Sequence, residues 1–178
     1  MLASGDTVSK ASGRVCAYGE VDELNSVIGM IRLEISRTDG ADDFRNALDT
    51  ELARIQQELF NLGAELATPG ASEEAGKLVI LQRHIDALEK EIDAHNEALE
   101  PLKSFILPGG GAIGTMAHLG RTVCRRAERT CIALMEHEEV RSEARIYLNR
   151  LSDYLFVIAR AAAAATGADE VLWNPKTT

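Results

Sequence analysis

Aromatic residues, prolines and cysteines are all scarce in this chain of 178 residues. Aromatic side chains make up 4% of the sequence and only four prolines occur, which disfavours a β-sheet protein and leaves long stretches free to form helices. The three cysteines, Cys16, Cys124 and Cys131, form no CxxC pair, so neither a disulfide framework nor a zinc knuckle is expected. Cysteine usage therefore indicates a reduced, cytoplasmic protein, with Cys124 and Cys131 as small core residues.

Two further absences concern the surroundings of the protein. No apolar run approaches the roughly 20 residues that span a bilayer, and the N-terminus has neither the basic start nor the apolar stretch of a secretory signal. A net charge of −9 disfavours binding to a nucleic-acid backbone. We therefore expect no membrane and no nucleic acid among its partners. The length and the 46% hydrophobic content suit one folded domain over residues 1–178.

Apolar residues recur at helical spacing along most of the chain. One stripe alternates steps of four and three residues from Leu48 to Leu66 and stops before Pro69. Long amphipathic helices with short connections are typical of an antiparallel bundle, so we predict an all-α protein of five helices. Two of the others are expected from about Val15 until before Gly40 and from about Leu81 until before Pro101. The last two are expected from about Ala112 to His137 and from about Ser142 to Thr166.

The fourth predicted helix concentrates positive charge in an otherwise acidic chain. Four arginines lie within the nine residues from Arg121 to Arg129. At about 100° per residue, Arg121, Arg125 and Glu128 share one narrow arc opposite an apolar stripe. The guanidinium forks suit phosphate or carboxylate binding. The alternative is a solvent-exposed face with local pairs such as Arg125 with Glu128.

The fifth predicted helix carries polar residues along one face. Asn149, Asp153 and Phe156 follow one another at steps of four and three residues. Asn and Asp have low helix propensity in the middle of a helix because they compete for backbone hydrogen bonds. They indicate either a buried polar network that fixes the register of the helix, or ligand contacts that face the arginine helix.

The connection before the fourth helix is short and rich in glycine. Phe105 to Leu107 lies between Pro101 and Pro108, which leaves too few residues for a helix and predicts an extended segment. The glycines at 109–111 either turn the chain sharply into the next helix or let backbone N–H groups approach a ligand.

Four segments occur in a characteristic order along the chain. They are Tyr18-Gly-Glu-Val-Asp-Glu-Leu-Asn-Ser26, Phe105-Ile-Leu-Pro-Gly-Gly110, Arg121-Thr-Val-Cys-Arg-Arg-Ala-Glu-Arg129 and Tyr147-Leu-Asn-Arg-Leu-Ser-Asp-Tyr-Leu-Phe156. Together they closely resemble the PduO-type ATP:cob(I)alamin adenosyltransferases, from about Val8 to Trp173. The resemblance implies a homotrimer of five-helix bundles with active sites between subunits. It also implies a reaction in which Co(I) of the corrin attacks the 5′ carbon of ATP, giving adenosylcobalamin and triphosphate.

The resemblance further implies which residues form the site. Arg121, Arg125 and Asp22 are the catalytic candidates, with Asp22 pairing with Arg121 across the subunit boundary. Phe105 is implied to occupy the lower face of the corrin and to exclude the lower axial ligand, and Asp153 is placed with it as a cobalamin-binding residue. Glu128 is also implied as a Mg²⁺ contact. The implied ATP-binding residues are Lys10, Arg121, Arg125, Arg126, Glu128, Arg129 and Asn149.

One departure from the family concerns the N-terminal segment, residues 1–14. Family members begin with a Thr-Gly-Asp-x-Gly-x-Thr loop around the ATP phosphates, whereas Ser4 to Lys10 aligns just after that loop. A late start codon, a truncated chain and a natural loss of the loop all explain this. The missing loop supports an alternative function, a cobalamin-binding or escort protein with weak or no turnover.

The family also implies cofactors and partners. ATP, Mg²⁺ and cobalamin are expected at the site, with cobalamin as a substrate. A reductase that supplies reduced cobalamin and an enzyme that depends on adenosylcobalamin are expected as protein partners, in the cytoplasm.

Overall fold

The computed structural model describes residues 9–74 and 77–176. Within them the chain forms five long helices, which confirms the predicted all-α class. Each observed helix overlaps the segment predicted for it from hydrophobic spacing. The helices are α1 (Gly13–Arg37), α2 (Asp42–Leu66), α3 (Gln82–Glu97), α4 (Gly111–Met135) and α5 (Ser142–Thr166).

Local sequence signals account for several helix ends. Ser12 caps α1, because its side-chain oxygen accepts a hydrogen bond from the backbone N–H of Val15 at 3.4 Å. Gly167 ends α5 in the left-handed conformation, with φ of 70°. α2 ends three residues before Pro69, which cannot continue a helix.

Helix packing follows a simple order across the bundle. α1 packs against α2 and α4, α4 packs against α5, and α5 packs against α3. The core is mostly aliphatic, with Tyr147 and Tyr154 also buried in it, and contains residues from all five helices. Cys124 and Cys131 are buried in it, and burial raises the pKa of the Cys131 thiol to about 11. Both cysteines are therefore core residues, as predicted, and poor nucleophiles near neutral pH.

Buried hydrogen bonds connect α2 to the helices on the far side of the bundle. The hydroxyl of Tyr147 donates to Glu58 at 2.8 Å, and that of Tyr154 donates to Glu51 at 2.7 Å. Nε2 of His95, on α3, lies 2.8 Å from the same Glu51 carboxylate. Because buried polar groups are stable only when they are paired, these contacts fix how α2, α3 and α5 meet.

The segment between α3 and α4 lies beside the chain that follows α5. Ile106 and Leu172 form an antiparallel bridge, and the backbone N–H of Trp173 donates to the carbonyl of Phe105 at 2.7 Å. This pairing confirms the predicted extended conformation around Phe105. It also gives Phe105 a fixed backbone position although the residue belongs to no helix.

Arg160 anchors both of these segments to α5. Its Nη2 donates to the carbonyl of Glu100 at 2.9 Å, and its Nε lies 3.2 Å from the Glu170 carboxylate. The side chain is buried, so its charge is compensated inside the protein. Arg160 therefore helps to hold the Phe105 segment against the bundle.

The glycines before α4 make a sharp turn. Gly110 and Gly111 have φ of 82° and 74°, a conformation that other residues rarely adopt. A Cβ atom at Gly114 would lie 2.7 Å from the carbonyl oxygen of Gly109, so the first turn of α4 packs directly under the incoming chain. The sharp turn into α4 is therefore sufficient to explain why glycines occur at these positions.

The described part of the chain contains no helix long and apolar enough to cross a membrane.

Candidate active site between α4 and α5

Two adjoining cavities lie along α4 and α5, and both are bordered by Arg121 and Phe156. We call the first, of about 360 Å³, the arginine cavity, and the second, of about 810 Å³, the aromatic cavity. Both are open to solvent at the surface of the bundle. The arginine cavity is lined by Arg121, Arg125, Ser152, Asp153, Phe156 and Val157. The aromatic cavity is lined by Leu102, Lys103, Ser104, Phe105, Ile106, His118, Arg121, Phe156 and Trp173.

Arg121 is an arginine without a counter-ion in the described part of the chain. It is half-buried, and its Nε atom is enclosed without a hydrogen-bond partner. Burial and the neighbouring charge of Arg125 lower the pKa of Arg121. Arg125 is exposed and likewise forms no ion pair with any described residue. Two uncompensated guanidinium groups on one wall favour a bound anion.

The other two arginines of the cluster point elsewhere. Nε of Arg126 lies 2.5 Å from the Glu20 carboxylate on α1, and its Nη2 also pairs with Glu23. Arg126 is therefore neutralised within the chain and is not brought together with Arg121. Arg129 is exposed, lines neither cavity and has no carboxylate partner among the residues described.

A polar network joins α4 and α5 beside the arginine cavity. Nδ2 of Asn149 donates to Glu128 at 2.9 Å, and Arg150 donates to Oδ1 of Asn149 at 2.7 Å. Arg150 also lies 3.3 Å from the Asp153 carboxylate, which lines the cavity. The structure thus supports both interpretations of these residues, because the network fixes helix register and also borders the site.

Phe105 is an aromatic residue on the surface, with 78% of its area exposed. Its ring meets Trp173 edge-on, with the centroids 6.2 Å apart, and both rings line the aromatic cavity. Burial in the bundle does not explain Phe105. Together with Trp173 it forms an exposed aromatic patch, and contiguous exposed apolar patches are typical of interaction or ligand-binding sites. The cavity therefore has an apolar wall suited to a flat, apolar ligand surface.

Asp22 lies on the exposed face of α1 and forms no ion pair with Arg121 within one chain. It lines a separate, mostly apolar cavity of about 320 Å³ between α1 and α2. Phe60, which is 72% exposed, borders the same cavity. Contact between Asp22 and Arg121 would therefore need a second copy of the chain.

The N-terminal candidates are only partly described. Lys10 is exposed in the turn before α1 and lines neither the arginine cavity nor the aromatic cavity. The prediction that the phosphate loop is absent was based on Ser4, Gly5 and Asp6. These three residues lie outside the described residues.

Sequence reasoning missed His118 and Trp173. His118 lies three residues before Arg121, so helical spacing places both on one side of α4. His118 could therefore have been predicted from the sequence as a neighbour of Arg121. Burial, then the charge of Arg121, lowers the pKa of His118, against an opposing effect of Glu170. Trp173 could not have been found by spacing, because it reaches Phe105 only through backbone pairing after α5.

Comparison with known proteins assigns this helical bundle to a family. The fold and the site define a helical-bundle protein with an arginine-lined cavity beside an aromatic one. Residues 1–162 match the cobalamin adenosyltransferase family. A cobalamin adenosyltransferase of Cupriavidus metallidurans is 42% identical over 97% of this chain and 87% of its own length. The corrinoid adenosyltransferase of Bacillus subtilis is 42% identical over 94% of this chain and 83% of its own length. The chain belongs to the cobalamin adenosyltransferase family.

Solved structures agree with this placement. A variant of the PduO-type ATP:corrinoid adenosyltransferase from Lactobacillus reuteri, complexed with cobalamin and ATP, has a TM-score of 0.87 to this chain. It is 36% identical, over 98% of this chain and 90% of its own. A second variant of that enzyme, complexed with ATP, has a TM-score of 0.85 at 36% identity, over 97% and 93% of the two chains. The family resemblance predicted from the four sequence segments is confirmed.

Proposed function

We propose that this protein is an ATP:corrinoid adenosyltransferase, which transfers the 5′-deoxyadenosyl group of ATP to cob(I)alamin and releases triphosphate. The observation that carries the proposal is the half-buried, unpaired Arg121 in a wall that continues to the exposed ring of Phe105. An anion site and an apolar face thus adjoin, as a reaction between a nucleotide and a corrin requires. Membership of the family supports the same conclusion.

The chemistry assigns a clear task to the arginines. The electron pair of Co(I) attacks C5′ of ATP, a cobalt–carbon bond forms, and the C5′–O5′ bond breaks to release triphosphate. Negative charge develops on the leaving oxygen, so fixed cations beside it lower the barrier. Arg121 and Arg125 are proposed to hold the triphosphate, with Arg129 and Lys10 as supporting charges outside the cavity wall. Arg126 was also a candidate from the family resemblance, but its ion pairs with Glu20 and Glu23 make it the least available of the four arginines.

Mg²⁺ is proposed to bind mainly through the triphosphate. Mg²⁺ is commonly held by one or two carboxylates together with substrate phosphates. Within the described residues, no three His, Cys, Asp or Glu side chains lie close enough to hold a metal by themselves. Glu128 is the proposed protein contact, and Asn149 orients it through their hydrogen bond of 2.9 Å.

Phe105 is proposed to lie against the lower face of the corrin. An apolar ring at this position offers no donor atom to cobalt and keeps the lower axial ligand away. Four-coordinate Co(II) is more easily reduced to Co(I), because no axial donor raises the electron density on the metal. Asp153 is proposed to contact the corrin from the wall that both cavities share, beside Phe156.

The active site is proposed to form between the subunits of a homotrimer. Asp22 would meet Arg121 of the next copy and supply the carboxylate that Arg121 lacks among the described residues of its own chain. The exposed Phe60 and the apolar cavity beside Asp22 support this assembly, since exposed apolar surface of this kind is typical of protein interfaces. Removal of one member of a buried ion pair commonly costs about 2–5 kcal/mol.

The reaction needs two neighbours in metabolism. A reductase must supply reduced cobalamin, and an enzyme that depends on adenosylcobalamin must consume the product. We propose that the protein acts in the cytoplasm. Its three free cysteines support a reducing compartment.

Anaerobic incubation with cob(I)alamin, ATP and Mg²⁺ tests the proposal through the visible absorbance of the corrin. Formation of adenosylcobalamin, with release of triphosphate, is the expected result. A spectral change of cob(II)alamin without product would instead identify a cobalamin-binding or escort protein. Absence of both responses would contradict corrinoid binding altogether.

A further inference from the structure

His118 is a buried polar residue in the wall of the aromatic cavity, and none of the steps above uses it. It lies on α4, three residues before Arg121, and only 4% of its surface is exposed. Its ring meets Phe156 edge-on, with the centroids 6.0 Å apart. His118 therefore lies at the junction of the two cavities, on the side that reaches Phe105.

The hydrogen-bonding capacity of this imidazole is not used by the described protein. Nδ1 is enclosed and has no partner. Nε2 is not enclosed and receives no hydrogen bond from any described residue, so it is the ring nitrogen that a ligand in the cavity can reach. Most buried polar groups are satisfied, so an unsatisfied one in a cavity wall suggests a missing ligand. A phenylalanine would fill the same space without leaving polar atoms unpaired. Packing alone therefore does not explain a histidine here.

The charge state of His118 limits which chemical groups it can bind. Burial lowers its pKa, the positive charge of Arg121 lowers it further, and only Glu170 acts in the opposite direction. Near neutral pH the ring is therefore uncharged and offers one donor and one acceptor. A phosphate is better matched by Arg121 and Arg125, whereas an amide offers the complementary acceptor and donor.

We propose that His118 is a specificity-determining residue that hydrogen-bonds an amide side chain at the edge of the corrin. This inference rests on the proposed function. The corrin of cobalamin carries several amide-terminated side chains around its rim, and its plane would lie against Phe105 in the same cavity. His118 shares that cavity with Phe105 and Trp173 but does not line the arginine cavity, which places it on the corrin side and not on the phosphate side.

Two substitutions separate this role from simple packing. His118→Phe keeps an aromatic ring against Phe156 but removes both nitrogens, whereas His118→Gln keeps an uncharged donor and acceptor. In steady-state assays, His118→Phe should raise KM for cob(I)alamin roughly three- to tenfold, the effect of one lost hydrogen bond. KM for ATP should change by less than about twofold. His118→Gln should recover most of the affinity for the corrinoid, and circular dichroism should show unchanged helix content in both variants.

The outcomes distinguish this inference from the proposed function. The role of His118 is overturned if His118→Phe leaves KM for cob(I)alamin unchanged, or if it raises KM for ATP as much as KM for cob(I)alamin. In both cases the adenosyltransferase activity itself remains established. If the unsubstituted protein makes no adenosylcobalamin, the proposed activity fails. The Kd for cob(II)alamin, measured by absorbance without turnover, then decides the role of His118. A three- to tenfold rise in His118→Phe supports the contact, and no change overturns it.

Discussion

At the scale of single residues, the four arginines of α4 differ in their partners and not in their chemistry. Arg126 is paired with Glu20 and Glu23, while Arg121 and Arg125 face a cavity without a described counter-ion. An ion pair lowers the free energy of a cation before any ligand arrives, so Arg126 has less to gain from triphosphate than Arg121 has. The spacing of the arginines identified α4 as the helix that carries the candidate site. Only their ion-pair partners in the structure show that Arg121 and Arg125 are the two most available to a substrate.

Arg121→Ala tests the central residue of the site. We expect turnover to fall by about a hundredfold or more, because a cation that stabilises the developing charge is lost. The fold of each subunit should persist, since Arg121 has no ion-pair partner among the described residues of its own chain, whereas the proposed contact with Asp22 of the next copy is lost. Initial rates of adenosylcobalamin formation and the far-ultraviolet circular dichroism spectrum provide the measurements.

Arg83→Ala is the matched control for this variant. Arg83 is an exposed arginine on α3, and it lines neither cavity of the site. It should retain full activity. Full activity of Arg121→Ala itself would show that the site has been placed on the wrong wall.

At the scale of elements, the turn into α4 couples helix packing to the position of Phe105. The 100–110 segment is held by α5 through the hydrogen bond from Arg160 to the Glu100 carbonyl, by the chain after α5 through the Ile106–Leu172 bridge, and by the close approach of Gly114. The first two contacts join segments that are distant in the sequence, whereas Gly109 and Gly114 are only five residues apart. A small displacement of the first turn of α4 should therefore move the aromatic wall as well.

Gly114→Ala tests this coupling. The added Cβ would lie 2.7 Å from the Gly109 carbonyl oxygen and 3.1 Å from that of Ala159, so backbone must shift. We expect a loss of about 1–3 kcal/mol in the free energy of unfolding, as for other overpacked sites, together with a lower affinity for cobalamin. Urea unfolding and corrinoid titration provide the measurements.

Gly63→Ala is the comparison for this prediction. Nothing lies within 4 Å of a Cβ atom built at Gly63, which is in the body of α2. Alanine should therefore stabilise the helix by about 0.5–1 kcal/mol. Equal stability changes for the two glycine substitutions would contradict the packing argument.

At the scale of the whole molecule, the separation of Asp22 from Arg121 gives a test of assembly. Asp22→Asn and Arg121→Ala should each be nearly inactive as pure proteins if the site needs both residues from different subunits. Co-refolding of the two variants in equal amounts should restore part of the activity, because some interfaces then combine an intact Asp22 with an intact Arg121. A mixture as inactive as its components would exclude a shared site, and sedimentation of each variant reports its oligomeric state.

The network around Glu51 predicts how stability depends on pH. Burial alone would raise the pKa of Glu51, but hydrogen bonds from His95 and Tyr154 outweigh it and lower the pKa below the usual 4.5. A carboxyl group with a lowered pKa stabilises the fold above its unfolded pKa, and this stabilisation is lost as pH falls through the folded pKa. The contribution of Glu51 should thus be complete at neutral pH and should decrease as the pH falls below the usual carboxyl pKa of 4.5.

Glu51→Gln provides the measurement. The substitution should lower the free energy of unfolding by about 1–2 kcal/mol at neutral pH and by much less in acid. Glu89→Gln, at an exposed position on α3, should show neither effect. A difference between the unsubstituted protein and Glu51→Gln that grows towards low pH would contradict the assigned sign.

The sequence by itself determined the five helices, their approximate ends and the concentration of arginines on α4. Hydrophobic spacing and the residues that stop a helix are local properties, so they can be recognised without knowing which helices are neighbours. The extended segment around Phe105 was also predictable, because Pro101 and Pro108 leave no room for a helix.

Only the tertiary structure decided which side chains form the candidate site. The pairing of Arg126 with Glu20, the meeting of Phe105 with Trp173 and the unpaired imidazole of His118 all depend on contacts between distant parts of the chain. Helical periodicity gives the face on which a side chain lies but not the element opposite that face. Which element lies opposite a given face depends on the order in which the helices pack. The burial of the whole core determines that packing order, and no single segment of the sequence does.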